Sequence, residues 1–408
     1  MKRLATRRLE EACGFRSGIV APTQRVEGTL ADLRGVHNVY IAGDGATASG
    51  GFARSVEDAT CAAIGEALER YAAANARLPL REARELDGEE LLPPARFALF
   101  SDAQRAMGDF PFAQNDQKQK YTKVFSLLDN RAVWVPEELV GLGSREGDGQ
   151  FPSTSTGLAA GRDRGRALLG ALDEALERDA FTVHWLGGLA GREVTLDERY
   201  TTPVRALRGE VRCFDLTQAW NPHPVAAVCG QLPMRGIPRI ALGCACRPTW
   251  QDAVEKAWLE WLQGTVFAGY YLNARPGLAF ADARALRDFD AHGAYYAAHP
   301  ERWPRVPILD RPIASAPPTT QGEGASLEDL VRALARVGLE PLYRDLTTPD
   351  VADLGVTVVR VLVPGLALLH GDERWPFLGG RTRDVAWRFP LLPRRIDAWP
   401  SPFPHPLG

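Results

Sequence analysis

The pentamer Glu-Ala-Leu-Glu-Arg occurs twice in this chain, at residues 66–70 and again at 174–178. In each copy the two glutamates and the arginine stand at positions i, i+3 and i+4, so a helix would place all three on one face. A related segment, "AWLEWLQ" at 257–263, has Glu260 and Gln263 at the same spacing. Three similar carboxylate patterns on separate segments suggest that they bind one ligand together.

The residues before each pentamer are apolar, "CAAIG" in the first case and "RALLGAL" in the second. An ordinary solvated helix face with local ion pairs is the alternative for any single copy, but these surroundings leave little polar surface for it. Carboxylates that face an apolar interior need a cation, and Mg²⁺ prefers oxygen ligands and often binds together with phosphate. Arg70 and Arg178 would then pair with the carboxylates or bind phosphate oxygens. The pattern predicts a Mg²⁺–nucleotide site built on helices.

The usual nucleotide-binding motifs are absent from the sequence. There is no G-x-x-x-x-G-K-[ST] loop, no protein-kinase motif set and no G-x-G-x-x-G between a strand and a helix. If ATP binds, we expect an unusual binding mode.

The composition is that of an ordinary globular protein, with 408 residues, 45% hydrophobic and 24% charged residues, and a net charge of −3. This charge does not favour a nucleic-acid surface, and no apolar run approaches the roughly 20 residues of a membrane span. The N-terminus has no apolar segment of the kind that secretory signals carry. Of the six cysteines only Cys244 and Cys246 are close, so we expect neither a zinc site nor a disulfide framework. Reduced thiols and a cytoplasmic location are expected.

The apolar periodicity predicts three long helices. The first begins after Ser55 as N-cap, the second after Asp163, and the third spans 248–272 with Pro248 near its start. Strand-like segments lie between and after them: "YTKVFSLLD", "RAVWVPEELV", "EVRCFDLT", "PVAAVCGQL", "RIALGCACR" and "GVTVVRVLVPGL". The mixture predicts an α/β or α+β fold. Residues 297–325 are predicted to form a surface loop, and the proline-rich residues 390–408 an extended tail.

Taken in order, five segments resemble a YcaO-domain protein of the type that serves as an ATP-dependent peptide cyclodehydratase. They are "GEALERYA", "STSTGLAAG…ALDEALERDAF…W", "AVEKAWLEWLQG", "YRDLTTPDVADLGVTVVRVLVPGL" and the closing "PSPFPHPLG". The resemblance covers the chain from about Ala46 to its end. It implies an α+β fold with mixed sheets and helices in two related halves around an ATP cleft. It also implies an N-terminal extension at 1–45, a YcaO domain at 46–389 and a tail at 390–408 that belongs to the active site.

The resemblance also implies the site residues. The expected Mg²⁺ ligands are Glu66, Glu174, Glu177 and Glu260. The expected nucleotide-binding residues are these four together with Glu69, Arg70, Thr156, Arg178 and Gln263. The expected catalytic residues are Pro402, Pro404 and Pro406 of the Pro-x-Pro-x-Pro terminus, which the resemblance places beside the nucleotide. Since such a tail is stiff, its removal is expected to reduce turnover more than folding.

The implied reaction uses ATP and Mg²⁺ to phosphorylate a backbone amide oxygen and so form an azoline from Cys, Ser or Thr of a ribosomally made precursor peptide. Two alternatives stay open. One keeps the enzyme class but forms a thioamide or an amidine. The other is a catalytically degenerate scaffold, and it is kept because Phe52, Ala62 and Thr156 depart from the pattern of many members. About 45 residues precede the resemblance, so a separate leader-peptide-binding partner is expected. Whether the chain forms a homodimer is left open.

Overall fold

The computed structural model describes residues 9–14, 18–26, 30, 34–42, 45–112, 119–143, 152–234, 237–280, 282–319, 322 and 324–408. The part of the predicted extension 1–45 that lies outside these ranges is not described. Within them the chain has a mixed α+β architecture and divides into two compact units. The first comprises Met1–Glu27, Leu33–Ala175 and Leu327–Leu366, and the second Gly28–Asp32, Leu176–Ser326 and Ala367–Gly408.

The helices are numbered in chain order. They are α1 (Val56–Asn75), α2 (Asp102–Arg105), α3 (Arg164–Leu186), α4 (Glu198–Ala206), α5 (Trp250–Ala274), α6 (Phe289–Ala298), α7 (Leu327–Arg336), α8 (Pro349–Asp353) and α9 (Val385–Arg388).

The strands are numbered in the same way. They are β1 (Gln24–Val26), β2 (Arg34–Ala42), β3 (Gly45–Ala53), β4 (Arg81–Glu82), β5 (Lys120–Ser126), β6 (Ala132–Pro136), β7 (Leu158–Gly161), β8 (Arg192–Val194), β9 (Glu210–Asp215), β10 (Val225–Met234), β11 (Ile237–Cys246), β12 (Ile313–Ser315), β13 (Leu342–Asp345) and β14 (Thr357–Leu362).

The first unit has two sheets. One has the order β1-β2-β3, and the other has the order β4-β5-β13-β14-β7 with β6 paired to β5. Every strand pair in these two sheets is antiparallel. Helix α1 follows the β2–β3 hairpin directly and packs on it, and it also contacts β7 and β14. The first unit therefore presents a helix on a hairpin, with the second sheet beside that helix.

The second unit has one sheet with the order β11-β10-β9-β8-β12. Its pairs are antiparallel except for β8 and β12, which run parallel. Helix α5 follows the β10–β11 hairpin and packs on both strands, and α6 packs against α5. Each unit thus contains a hairpin followed by a long helix, and these two helices carry the first and third of the carboxylate segments.

All three predicted long helices are confirmed. The Ser55 side chain accepts a hydrogen bond from the backbone N–H of Asp58, and Asp163 accepts one from Arg166. The third helix is capped by Thr249 rather than beginning at Pro248. Such caps satisfy N–H groups that the first helical turn leaves unpaired.

The predicted surface loop at 297–325 is wrong in part. Residues Pro300–Arg305 and Pro307–Leu309 form short 3₁₀ helices, and β12 joins the sheet of the second unit. The side chains of Trp303 and Ile308 are buried. Apolar residues between the prolines therefore anchor this segment.

No helix within the described ranges is long and apolar enough to span a bilayer. All six cysteines are free thiols.

Candidate functional site

Helix α1 lies unusually close to its hairpin because Gly51 of β3 has no side chain. A Cβ at Gly51 would lie 2.2 Å from the carbonyl oxygen of Ala59, which is far inside van der Waals contact. This close approach lets the side chains of α1 reach the hairpin backbone. The Glu66 carboxylate accepts a hydrogen bond of 3.2 Å from the backbone N–H of Gly50.

The first pentamer presents its charged groups together, as predicted. Arg70 Nη2 lies 3.6 Å from Glu66 Oε1, and Arg70 Nε lies 3.6 Å from Glu69 Oε1. The side chains of Glu66 and Arg70 are about a third exposed, whereas that of Glu69 is 16% exposed. Glu69 is therefore the carboxylate of this group that is most removed from water.

Burial raises the pKa of Glu69 well above its usual value, and the negative charges of Glu174 and Glu66 raise it further. The guanidinium groups of Arg70 and Arg360 oppose this rise without cancelling it. The structure thus brings five groups together, here named the carboxylate cluster: Glu66, Glu69, Glu174, Arg70 and Arg360. Closely spaced carboxylates that repel one another are a donor set that fits a hard divalent cation such as Mg²⁺.

Arg360 was not predicted from the sequence. It stands in the middle of the apolar strand β14 and is 1% exposed. Its Nε donates to Val140 O at 3.1 Å and its Nη1 donates to Thr156 O at 2.7 Å. Its Nη2 donates to Gly141 O at 3.3 Å and to Thr154 O at 2.7 Å. Burial lowers its pKa to about 10, so the guanidinium stays charged at neutral pH. The one signal in the sequence is an arginine within "VTVVRVLV", where an unpaired buried charge would be costly.

Arg360 therefore fixes the backbone around Thr156 and Gly157. Thr156 is buried, and Gly157 has φ of +82°, a left-handed conformation that favours glycine. The Gly157 carbonyl accepts a hydrogen bond of 2.7 Å from Val361 N–H. The structure holds Thr156 rigidly, while its predicted contact with nucleotide stays a prediction.

The second unit holds a different group of charges, here named the mixed-charge cluster: Glu177, Arg178, Glu260 and Lys256. Arg178 Nε lies 3.4 Å from Glu177 Oε1, and Lys256 Nζ lies 3.0 Å from Glu260 Oε1. Burial raises the pKa of the Cys244 thiol well above its usual value; Glu177 and Glu260 add to the rise and Arg178 opposes it. Glu177, Arg178 and Glu260 therefore all lie near Cys244. Sequence reasoning missed Lys256, the i−4 partner of Glu260.

Helix α5 is held against β11 as α1 is held against β3. A Cβ at Gly243 would lie 2.1 Å from Ala257 O and 2.8 Å from the Cβ of Glu260. Gln263 is half-buried, three residues beyond Glu260 on the same helix. Trp258 and Trp261 are fully buried, so they pack within the second unit.

Helix α3 carries the second pentamer, and the division between the units falls within it, between Ala175 and Leu176. Glu174 belongs to the first unit and Glu177 to the second. The predicted convergence of Glu66, Glu174 and Glu260 on one nucleotide stays a prediction.

The predicted tail, residues 390–408, contains turns, bends and an isolated bridge at Arg394, and its last part, residues 400–408, is largely buried. Pro404 and Pro406 are buried, whereas Pro402 is exposed. Burial lowers the pKa of His405 well below its usual value, the neighbouring His292 and His370 lower it further, and the positive charge of Arg178 makes a smaller contribution in the same direction. The tail therefore lies within electrostatic reach of one predicted site residue, and the catalytic role of its prolines stays a prediction.

Comparison with known proteins adds independent evidence. The family model described as YcaO cyclodehydratase, ATP- and Mg²⁺-binding, matches residues 50–367. A curated relative is an uncharacterized protein of Methanothermobacter thermautotrophicus, 28% identical over 235 residues, which are 54% of this chain and 58% of the relative.

Three solved structures share the fold. A heterocyclase in complex with substrate and cofactor aligns with a TM-score of 0.74 and 21% identity over 98% of this chain and 57% of its own. YcaO from Methanopyrus kandleri, bound with AMPPCP and Mg²⁺, aligns with a TM-score of 0.64 and 21% identity over 90% of both chains. A chain of the E. coli microcin synthetase McbBCD complex aligns with a TM-score of 0.63 and 15% identity over 93% of this chain and 98% of its own. The present chain spans less than two thirds of the heterocyclase and of the curated relative.

Proposed function

The chain belongs to the YcaO family, and on that premise we propose that it is an ATP- and Mg²⁺-dependent enzyme that forms azoline rings in a ribosomally made precursor peptide. A Cys, Ser or Thr side chain of the peptide attacks the preceding backbone carbonyl carbon. The resulting oxyanion takes the γ-phosphoryl group of ATP, and ADP leaves. The amide nitrogen then expels phosphate and loses its proton, so that the ring closes with a C=N bond. The net change is one peptide and one ATP to one azoline, ADP and phosphate.

The observation that carries this proposal is the carboxylate cluster. Its three carboxylates outnumber its two guanidinium groups, and Glu69 has a raised pKa as a result of burial and like charge. An added divalent cation would relieve this repulsion, and phosphate oxygens would complete its coordination. The residues proposed to hold the ion are Glu66, Glu174, Glu177 and Glu260. Those proposed to contact the nucleotide further are Glu69, Arg70, Thr156, Arg178 and Gln263.

The bound ion would neutralise charge on the transferring phosphoryl group, which is the usual electrostatic contribution in such reactions. The chain's own residues supply position. Arg360 fixes the carbonyl of Thr156 at 2.7 Å and remains charged beside Glu69 and Glu174. The charge of Arg178 affects the pKa values of both Cys244 and His405, so Arg178 lies near the tail as well as near the mixed-charge cluster. This supports a role for Pro402, Pro404 and Pro406 in placing the reacting groups.

We further propose a separate partner protein that binds the leader segment of the precursor peptide. The support is that a solved relative is a chain of a multiprotein synthetase complex, and that the same complex aligns with pro-MccB17 bound, with a TM-score of 0.60. Tethering the leader would raise the effective concentration of the core peptide. Addition of the partner should therefore lower the apparent KM for the precursor peptide.

The test combines phosphate release with product mass. The protein is incubated with ATP, Mg²⁺, a precursor peptide encoded near its gene and the neighbouring candidate partner. We expect peptide-dependent phosphate release and a peptide that has lost one water for each phosphate. Exchange of one oxygen for sulfur would indicate thioamide formation instead, and amidine formation would show as one lost water with a backbone amine consumed.

The matched variants are the triple change Glu66→Gln, Glu174→Gln and Glu260→Gln, and the control Glu301→Gln. Glu301 is 67% exposed and lies outside both clusters. The triple variant should fold and lose phosphate release, while the control should behave as wild type. If the triple variant binds and hydrolyses ATP like wild type, the site lies elsewhere. If wild-type protein with both peptide and partner releases no phosphate, a scaffold role replaces the enzymatic one.

A further inference from the structure

The tail, residues 400–408, belongs to the second unit and is held by hydrogen bonds to its carbonyl oxygens, as a bound peptide ligand often is. Pro402, Pro404 and Pro406 have no backbone N–H, so this segment cannot join a sheet as an ordinary strand does. Its carbonyl groups are the main polar groups that need partners when it is buried. The structure supplies those partners from side chains.

Three consecutive carbonyl oxygens each receive one side-chain donor. Trp185 Nε1 donates to Phe403 O at 2.8 Å, and Tyr296 Oη donates to Pro404 O at 2.8 Å. His292 Nδ1 lies 3.0 Å from His405 O. Trp185 is the next-to-last residue of α3, which ends at Leu186, and His292 and Tyr296 lie one turn apart on α6.

The His292 contact fixes its tautomer. A carbonyl oxygen only accepts, so Nδ1 of His292 must carry the proton. In the same way, His405 Nε2 lies 2.6 Å from His370 O and must be protonated there. His370 Nε2 in turn lies 3.1 Å from a carboxylate oxygen of Glu373. Each of the three rings therefore donates one N–H hydrogen bond to the tail or to the segment next to it.

The three histidines are buried and close together, so a metal site is the obvious alternative. The ring geometry argues against it. The rings of His292 and His405 are stacked with centroids 3.9 Å apart and planes 9° apart. Their nitrogen lone pairs lie in the ring planes, and a zinc ion at about 2.0–2.1 Å would have to lie close to both planes at once. Nearly parallel, separated planes do not meet on one ion.

The end of the tail is also fitted to α6. A Cβ at Gly293 would lie 3.0 Å from the Cα of Gly408, so this helix position admits only glycine without displacing the chain end. Leu407 is 5% exposed. The tail is thus seated by apolar contact at its end as well as by the three hydrogen bonds.

We propose that Trp185, Tyr296 and His292 are positioning residues that hold the tail through three consecutive carbonyl oxygens and thereby set its place for the reaction. This rests on the proposed function, in which the tail takes part in ring formation. Helix α3 contacts the tail close to the mixed-charge cluster. The ring of Phe181, which lies one turn after Glu177, is 6.4 Å from the ring of His405. A tail that shifts by about 1 Å could cost on the order of 100-fold in rate.

The test uses single-atom changes in the full-length protein. Tyr296→Phe removes only the hydroxyl that donates to Pro404 O, and Tyr295→Phe is the matched control. The Tyr295 hydroxyl accepts a hydrogen bond from Arg302, and among the described residues it makes no hydrogen bond to the tail. His292→Leu removes the ring donor, and His292→Asn restores an N–H donor near the position of Nδ1.

Two readouts are needed. The first is the rate at which a carboxypeptidase removes Gly408 and then Leu407, measured by mass, which reports how firmly the tail is held without requiring any activity. The second is kcat for ring formation together with KM for ATP. We expect Tyr296→Phe and His292→Leu to raise the release rate and to lower kcat, each by about tenfold, with KM for ATP unchanged. Tyr295→Phe should behave as wild type, and His292→Asn should recover much of the loss.

Unchanged Leu407 release in both Tyr296→Phe and His292→Leu would overturn the proposal, and so would faster release with an unchanged kcat. A failure of the proposed function is distinguishable from either result. In that case wild-type protein makes no product, and Leu407 release in the same variants still decides whether these donors hold the tail.

Discussion

Replacing Gly157 by alanine should damage both the stability of the first unit and any nucleotide-dependent activity. Gly157 has φ of +82°, and a Cβ there would lie 2.2 Å from the carbonyl oxygen of Val361. This is about 1 Å shorter than a tight van der Waals contact, so the backbone must move. The movement would stretch two hydrogen bonds of 2.7 Å, from Val361 N–H to Gly157 O and from Arg360 to Thr156 O.

The magnitude follows from these contacts. A left-handed conformation costs an L-residue about 1–2 kcal/mol, and two weakened hydrogen bonds cost about 1 kcal/mol each. The sum is about 3–4 kcal/mol. For a unit of this size it corresponds to a fall in Tm of about 6–16 °C. If Thr156 contacts the nucleotide as proposed, its displacement by about 1 Å should reduce turnover on the order of 100-fold.

Gly170→Ala provides the control, because it adds the same methyl group in the same unit. Gly170 lies inside α3, and a Cβ there would make an ordinary contact of 3.5 Å with the Cβ of Ala159. Alanine in a helix interior is favoured over glycine by up to about 1 kcal/mol. Gly170→Ala should therefore raise Tm slightly, so that one chemical change has opposite effects at two positions.

The assay is thermal unfolding followed by circular dichroism, together with phosphate release under saturating ATP. The two compact units need not unfold together, so the lower-temperature transition is the relevant one if two are seen. A Gly157→Ala protein with Tm within about 1 °C of wild type and turnover within about twofold would refute the reasoning.

Three further predictions concern charge. Glu69→Gln should abolish Mg²⁺–ATP binding in calorimetry and stabilise the apo protein. Because the pKa of Glu69 is raised in the folded protein, the unfolding free energy of wild type falls as pH rises above the usual pKa of glutamate. The stabilisation by Glu69→Gln should therefore be larger at pH 8 than at pH 5. Arg360→Met should lower the unfolding free energy in urea by about 3–5 kcal/mol, whereas Arg164→Met, which breaks an exposed ion pair, should change it by less than about 1 kcal/mol. Burial lowers the pKa of His184 to about 3 and that of His292 to about 4. The unfolding free energy should therefore be highest above the unfolded pKa near 6.5 and should fall as pH decreases toward 4, by about 1.4 kcal/mol per pH unit for each ring. In His292→Asn the unfolding free energy should depend less steeply on pH.

The elements that depend on local signals were predictable. Helices α1 and α3 each have a capping residue followed by long apolar periodicity, and both begin where the caps indicate. The i, i+4 spacing within the first pentamer also predicted the contact of Arg70 with Glu66, whereas Arg178 contacts Glu177, its neighbour in sequence. These features lie within one or two helical turns, so no knowledge of the tertiary fold is needed to infer them.

What failed depends on contacts between distant segments. The segment 297–325 was predicted to be a loop because it is rich in proline. Its strand β12 forms by parallel pairing with β8, which lies more than a hundred residues earlier. The role of Arg360 was not predicted, because its hydrogen-bond acceptors are carbonyl groups around residues 140 and 155, which are far from it in the sequence. Neither pairing has a local signature.

The tail is a second case in which contacts between distant segments were not predictable from the sequence. Its composition predicts an extended, stiff segment over residues 390–408 whose removal reduces turnover more than folding, and both stay predictions. Pro404, Pro406 and Leu407 are buried, so their deletion would expose apolar surface and leave hydrogen-bond donors unpaired. Truncation would therefore confound stability with function, and the single-atom change Tyr296→Phe is the sharper experiment.

The two pentamers are the same in sequence, but the first lies wholly in the carboxylate cluster, whereas the second is divided: Glu174 lies in the carboxylate cluster, and Glu177 and Arg178 lie in the mixed-charge cluster. In the carboxylate cluster, three carboxylates and two guanidinium groups leave one negative charge, and burial with like charge raises a glutamate pKa. In the mixed-charge cluster, two carboxylates are each paired with a cation, so that its net charge is zero. An added cation therefore relieves more charge repulsion in the carboxylate cluster than in the mixed-charge cluster, where each carboxylate already has a cationic partner.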